Sequence, residues 1–431
     1  MTKISQFSNI FPYEGKYLGY NAFTNKFLVL EPLLGELILA AKAEGNIDDL
    51  KEIHENLYDV LVRDGFVVDN NVDEIQKVVE LRESIDFDNS FYHLIINPTM
   101  NCNFKCWYCY EEHIKASKMD AKNIEKVKKL ITNVLDNQAT VKTFVISWFG
   151  GEPLLYYDQV IAPISNFAVE ETQKRGVHFS SNFTSNGYLI KESMLEDFQK
   201  WNVENLQITL DGNKDSHDKV RFVNSKKGSF TEIVKNIKLL SENGISITTR
   251  INYTKENFDG VQSLAEEFED LSEIGKSKME CSLHKVWQVD SVDQDVVNET
   301  LQHFRSKGIK ASTNLTIDSV RNSCYADKRN HATINYNGDA FKCTARDFSK
   351  ANREGVLTDN GEIIWSARFE ERMNIKLKNK NCQTCSILPI CNGGCSQYAL
   401  ENLEKGFCVF EDAGIQKKDV IIQKFSDLIN A

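Results

Sequence analysis

Between residues 91 and 289 the sequence repeats one unit: a short apolar run, a loop and a stretch with helical spacing. The runs are 91–97 (FYHLIIN), 143–148 (TFVISW), 177–183 (VHFSSNF), 205–210 (NLQITL), 245–253 (ISITTRINY) and 279–289 (MECSLHKVWQV). After the first run, Ile124, Val127, Leu130, Ile131 and Val134 recur at helical intervals within 121–135. Strands that alternate with helices predict a parallel sheet with right-handed crossovers. Two of the runs also separate their faces. Leu206, Ile208 and Leu210 alternate with Gln207, Thr209 and Asp211, and Ile245, Ile247 and Ile251 alternate with Ser246, Thr248, Arg250 and Asn252. An apolar face suits contact with helices, and a polar face suits the lining of a solvated site. The predicted fold is therefore α/β, a partial barrel of six strand–helix units with a polar lumen, rather than a sheet covered on both faces.

The flanks read differently. Residues 17–31 (YLGYNAFTNKFLVLE) predict a hairpin turning near Thr24–Asn25. Leu33, Leu34, Leu37 and Leu39 mark one helix, and Ile47, Leu50, Ile53, Leu57 and Leu61 a second. Gly65 ends it before a short strand at Phe66-Val67-Val68. Hairpin, helices and strand predict a small winged-helix-like unit, joined to the barrel by a polar helical link over 70–90. After about residue 310 the periodicity fades, and a last helix is expected over 412–429 (Ile415, Val420, Ile421, Phe425, Leu428). No internal repeat is visible. The expected domains are 1–87, 88–310 and 311–431, in keeping with 431 residues at roughly 100–200 per domain.

The 11 cysteines narrow the chemistry, because all but Cys281 are grouped. Three lie at 102, 106 and 109, and seven between 324 and 408. The N-terminus MTKISQFSNIFPYEG has no charged-then-apolar export pattern. Nor does any stretch reach the roughly 18 apolar residues of a membrane span. A cytoplasmic protein is expected, and in that setting grouped thiols point to metal ligation more than to disulfides. A net charge of 51 − 62 = −11 argues against nucleic acid as the main partner, since phosphate neutralisation needs a basic face. No membrane partner is expected either. Cys281 alternates with Met279 and Leu283 and reads as a buried core residue.

Residues 97–110 read NPTMNCNFKCWYCY, immediately after the first strand. Three thiolates at C-x3-C-x2-C spacing can hold three irons of a [4Fe–4S] cluster and leave the fourth open. Zinc is the alternative, with His113 as a fourth ligand. The spacing, with Tyr108 before the third cysteine, resembles the radical SAM superfamily. In that family the open iron binds the amino and carboxylate groups of S-adenosylmethionine, and an electron from the cluster cleaves a C–S bond to give a 5′-deoxyadenosyl radical. Trp148-Phe149-Gly150-Gly151-Glu152-Pro153 resembles the family's GGEP segment, whose backbone meets the methionine amino group. Ser185-Asn186-Gly187 and Asp211-Gly212 with His217-Asp218 and Arg221 resemble two further stretches. The resemblance implies cofactor contacts from Gly150, Gly151, Glu152, Asn186 and Thr209, and a guanidinium on the carboxylate from Arg221 or Arg250. The plainer reading of each is a hydrogen-bonded loop residue or a structural salt bridge. For His217 a structural loop role is favoured.

The second group runs Cys324, Cys343, then Cys382-x2-Cys385-x5-Cys391-x3-Cys395, then Cys408. It resembles the SPASM extension, which carries auxiliary clusters in radical SAM enzymes acting on peptides. The resemblance implies one [4Fe–4S] cluster on Cys382, Cys385, Cys391 and Cys408, and another on Cys324, Cys343 and Cys395. Two zinc knuckles are the alternative. Some relatives have a further cysteine before the one matching Cys324; 315–323 (LTIDSVRNS) has none. A free iron, Asp318 or Cys281 is left for that place.

The resemblance implies a radical SAM peptide maturase. It would use the 5′-deoxyadenosyl radical to take hydrogen from a ribosomally made peptide, forming a thioether, another crosslink or an oxidised residue. An electron donor such as flavodoxin or ferredoxin is implied. The N-terminal elements resemble leader-peptide-binding units that capture a peptide by strand addition; a structural cap is the alternative. A sulfatase-maturating, formylglycine-generating enzyme is the runner-up, although Thr344, with Asp347 further on, stands where that group has an acid. A zinc-stabilised, non-catalytic adaptor is the reading of another class. The catalytic acid or base stays open; Glu280, His284 and Gln288 share one face of the sixth run.

Overall fold

The computed structural model of the chain describes residues 1–137, 140–286, 288–289, 292–313 and 321–429. The chain divides into two compact units, one of Asn89–Leu315 and Asn330–Phe369, the other of Met1–Asp88, Thr316–Arg329 and Glu370–Ala431. The stretch 311–431, expected as a single domain, is thus shared between the two units.

The N-terminal part of the second unit holds β1 (Thr2–Ile4), β2 (Ser8–Tyr13), β3 (Lys16–Asn21), β4 (Lys26–Leu30) and β5 (Val67–Asp69). Strands β2, β3 and β4 form an antiparallel sheet, and β1 pairs with β5. The expected hairpin is β3–β4, with Asn25 left-handed (φ 58°) in its turn. β5 pairs with β1 rather than with the hairpin, a strand whose three residues gave no periodic signal. A helix over Pro32–Glu44 starts with proline in its first turn and stops at left-handed Gly45. The second stripe is interrupted: a 3-10 turn (Ile47–Asp49) and short helices at Leu50–Ile53 and Glu55–Arg63 replace one helix. The His54 side chain accepts from Leu57 N at the break. Ile47, Leu50, Leu57 and Leu61 are buried as the stripe required, whereas Ile53 is exposed. The link is a helix over Glu74–Asp86.

The sheet β2–β4 and the cysteine-rich segment share one hydrophobic core. Phe7, Leu18, Tyr20 and Val78 pack with Ile387, Leu388, Ile390, Phe410 and Ile421. The last helix, Lys417–Ile429, joins through Phe425, whose ring lies 5.3 Å from Phe27 and 5.9 Å from Tyr13.

In the first unit all six expected strands are present: β6 (Phe91–Ile96), β7 (Thr143–Trp148), β8 (His178–Ser185), β9 (Val203–Leu210), then, after the short hairpin β10 (Phe222–Asn224) and β11 (Lys227–Gly228), β12 (Ser246–Tyr253) and β13 (Met279–Lys285). They are parallel neighbours in that order, and β14 (Lys310–Thr313) extends the row beyond β13. On the other edge β15 (His331–Ile334) pairs parallel with β6 and leads into antiparallel β16 (Asp339–Phe341), β17 (Gly355–Leu357) and β18 (Ile363–Trp365). Among the described residues the sheet is open, ending at β14 and β18. The five added strands are only three or four residues long, too short for a readable alternation.

The faces divide as the sequence required. Leu206, Ile208, Leu210, Ile247 and Ile251 are buried under the helices, in one core with Val127, Leu130 and Ile131 of the helix Ala121–Asn137. Gln207, Thr209, Arg250 and Asn252 face a cavity. Cys281 is fully buried between Met279 and Leu283, and burial raises its thiol pKa. Among the described residues no helix is long and apolar enough to cross a membrane.

Candidate functional site

The loops after β6, β7, β8 and β9 meet at the carboxyl ends of the strands, where sites of such sheets collect. They enclose an open cavity, the concave kind of place that takes a small molecule. Cys102, Cys106 and Cys109 all line it. Burial is the main force on these thiols, holding Cys102 protonated up to about 12 and Cys109 up to about 11; the charge of Glu152 adds to it at Cys102. Such thiols ionise when a cation takes them. His113 stands on the same wall, its Nε2 3.6 Å from Cys109 Sγ. Among the described residues no three His, Cys, Asp or Glu side chains converge tightly enough to hold a single metal ion.

The glycine turn after β7 presses on the cysteine loop. Gly150 and Gly151 are left-handed, with φ of 84° and 53°. A Cβ on Gly151 would lie 2.2 Å from Asn101 O, which is backbone and cannot yield. Gly151→Ala therefore combines a strained φ with a backbone clash and is expected to cost at least about 1–3 kcal/mol. Thermal unfolding checks this, and S-adenosylmethionine affinity should fall with it because the cavity wall shifts.

Glu152 is placed differently from the expectation of a cofactor contact. It is fully buried, and its carboxylate accepts from Asn186 N (2.7 Å), Ser185 Oγ (2.9 Å) and Leu154 N (3.0 Å). Burial raises its pKa to about 7 against these donors. The residue clamps the β8 loop to the glycine turn from behind the cavity. Asn186, by contrast, lines the cavity and donates to Asn103 Oδ1 (2.7 Å). Thr209 lines it from β9.

Arg221 and Arg250 both face the cavity. Arg221 is already engaged: its Nε donates to Asp211 Oδ2 (3.0 Å), and its Nε and Nη2 reach Tyr108 Oη (3.0 and 2.8 Å). Tyr108 in turn donates to Asp211, 2.6 Å from Oδ2. Burial opposes the Arg221 charge, but Tyr108 and Asp211 keep its pKa above the ordinary value. This linkage pins the cysteine loop to the β9 loop. Arg250 is held by Asn252 Oδ1 at 2.9 Å. His217 is buried, its Nδ1 accepting from Asp211 N (3.2 Å) and its Nε2 beside Ser229 Oγ (3.0 Å), so it is structural. Of the three residues expected on one strand face, Gln288 lines the cavity beyond the end of β13, His284 sits beside Ser282 (3.0 Å), and Glu280 accepts from Ser312 (2.7 Å).

Among the cavity residues that sequence reasoning missed, Glu111 bears most on the site. Glu111, two places after Cys109, lines the cavity and accepts from Gly151 N at 2.6 Å. Its place directly behind the cysteine triplet was the available signal.

The profile of the Radical SAM superfamily matches residues 96–268. That span takes in all three thiols, the glycine turn, Asn186, Thr209, Arg221 and Arg250. These residues form a radical SAM domain. Around it, the chain is similar to the radical SAM cyclopropyl synthase TigE of Paramaledivibacter caminithermalis, 24% identical over 77% of this chain and 74% of that protein. A cysteine-type anaerobic sulfatase-maturating enzyme of Clostridium novyi is 32% identical over 34% of this chain and 40% of its own length. Some matches thus span half or less of the relatives' own length. The structure of Streptococcus suis SuiB bound to its precursor peptide SuiA shares the fold, with a TM-score of 0.50, 18% identity, and coverage of 94% of this chain and 98% of that one. The radical SAM domain implies a [4Fe–4S] cluster and S-adenosylmethionine. The donor set suits both, with three cavity thiols for the cluster and two guanidiniums for a carboxylate.

In the other unit Cys382, Cys385, Cys391 and Cys408 line a single cavity, together with Lys417. Burial raises Cys391 to about 12 and Cys382 to about 11, and the neighbouring thiols push the same way. Lys417 pairs with Glu411 at 2.9 Å. Cys324 and Cys395 belong to this unit, and Cys343 to the other. Asp318 lies outside the described residues. Thr344 is buried, and Asp347 accepts from Ser349 Oγ (2.8 Å) and Asn352 Nδ2 (2.5 Å) within its own loop.

Proposed function

We propose that this protein is a radical SAM maturase of a ribosomally made peptide. The observation that carries the reading is the gathering of three thiols, a left-handed glycine turn and two guanidiniums around one cavity. Cys102, Cys106 and Cys109 would hold the cluster, and Arg221 or Arg250 would take the cofactor's carboxylate. When bound, the cluster and S-adenosylmethionine supply a 5′-deoxyadenosyl radical that takes hydrogen from the substrate. The protein's own part is to hold the loops in register. Glu152 ties the β8 loop to the glycine turn, and the Tyr108–Asp211–Arg221 linkage fixes the cysteine loop.

The four thiols at Cys382, Cys385, Cys391 and Cys408 are read as ligands of an auxiliary cluster. Auxiliary clusters give an exit for the electron released when the product is two electrons more oxidised. The sheet β2–β4 leaves β2 and β4 as edges within its own sheet, which suits capture of a peptide strand. SuiB, similar in fold, binds a precursor peptide.

The test is anaerobic incubation of reconstituted enzyme, reductant and S-adenosylmethionine with short peptides encoded beside the gene. One peptide should lose two hydrogens by mass, with 5′-deoxyadenosine formed alongside. Conversion of a sulfatase Cys or Ser to formylglycine instead would favour the second reading. That reading draws on the 32% identity to the Clostridium enzyme. Against it, Thr344 stands where an acid is expected and Asp347 is turned into its own loop.

A further inference from the structure

The cavity offers both signs of charge. Arg221 and Arg250 bring guanidiniums to it, and Glu111 brings a carboxylate. One Glu111 oxygen is held by Gly151 N at 2.6 Å. Its other oxygen has no hydrogen-bond partner among the described residues. A carboxylate fixed at one oxygen and open at the other, in a cavity that also presents guanidiniums, is arranged for the zwitterionic end of an amino acid. The guanidiniums suit its carboxylate and Glu111 its ammonium, through charge-assisted hydrogen bonds. Asn186, Thr209 and Gln207 also line this cavity, but they are neutral and do not select a cation.

We propose that Glu111 is a cofactor-binding residue that receives the α-ammonium of S-adenosylmethionine. The proposal rests on the radical SAM reading and adds to it a side chain beyond the glycine turn. It also gives the bond between Glu111 and Gly151 a purpose: the backbone N–H holds the carboxylate in place, so that the turn and the acid form one wall.

The experiment compares wild-type and Glu111→Gln protein, both anaerobically reconstituted and matched for iron content. Calorimetry measures affinity for S-adenosylmethionine and for 5′-methylthioadenosine, which keeps the adenosine and sulfur but has no amino-acid end. Gln keeps an acceptor for Gly151 N–H and loses the charge. S-adenosylmethionine should bind about tenfold or more weakly, the scale of one charge-assisted hydrogen bond, while methylthioadenosine changes less than about twofold. Glu111→Asp, which keeps the charge, should recover part of the loss. The proposal is overturned if S-adenosylmethionine binds the Gln variant as it does wild type. It is equally overturned if both ligands weaken together, because Glu111 would then act only through the glycine turn. Wild-type protein that takes up no iron or binds no S-adenosylmethionine would instead fail the radical SAM reading itself.

Discussion

Cys106→Ala should reduce 5′-deoxyadenosine formation to background and remove one cluster's share of iron. Cys106 is the middle thiol of the triplet and lines the same cavity as Cys102 and Cys109. Two thiolates would remain for a cluster that uses three. The variant should still fold, because the thiol is only partly buried and the Tyr108–Asp211–Arg221 linkage that anchors the loop is untouched. Circular dichroism should match wild type while absorbance of the iron–sulfur chromophore falls. Turnover surviving in a folded, iron-depleted Cys106→Ala protein would reject the radical role of this loop.

The second large effect is expected in the other unit. Cys391 lines the four-thiol cavity and packs at the edge of the core shared by Phe7, Leu18, Tyr20, Ile387 and Ile390. Cys391→Ala should lose the auxiliary cluster there and destabilise this unit by more than about 4 kcal/mol, the scale of losing a structural metal site. Because one core serves the cysteine-rich segment and the sheet β2–β4, the damage should travel. Amide hydrogen exchange in β2, β3 and β4 should speed up although these strands contain no cysteine. Cys281→Ala is the control, since that thiol is buried in the other unit's core; iron content and exchange at β2–β4 should stay unchanged. Unaltered iron and unaltered exchange in Cys391→Ala would separate the cavity from both cluster and sheet.

The row of parallel strands was legible because apolar runs recur between helical stripes: each of the six runs became a parallel strand, and in the two runs that alternate, the polar set Gln207, Thr209, Arg250 and Asn252 faces the cavity. The short additions β14 to β18 were not legible, since three or four residues hold no more than two periods of a strand. The break at His54 was hidden for a related reason. Ile53 fits the helical stripe by spacing, yet a capped restart at Glu55 turns it outward. In the site, the triplet could be read from its spacing and the glycine turn from its resemblance to the GGEP segment. Glu152 could not be placed: a carboxylate in a motif reads alike whether it faces a ligand or clamps a loop, and only its three donors decide. The domain reading missed that residues 370–431 group with the N-terminal segment. Apolar residues such as Ile387 and Ile390 show that they need a partner, not which one.

Anaerobically reconstituted wild-type protein, assayed for iron, sulfide and zinc and then reduced in the presence of S-adenosylmethionine, tests the central claim most directly. The account predicts brown protein rich in iron and sulfide that yields 5′-deoxyadenosine. Colourless protein holding zinc at Cys102, Cys106 and Cys109, with S-adenosylmethionine recovered intact, would contradict it.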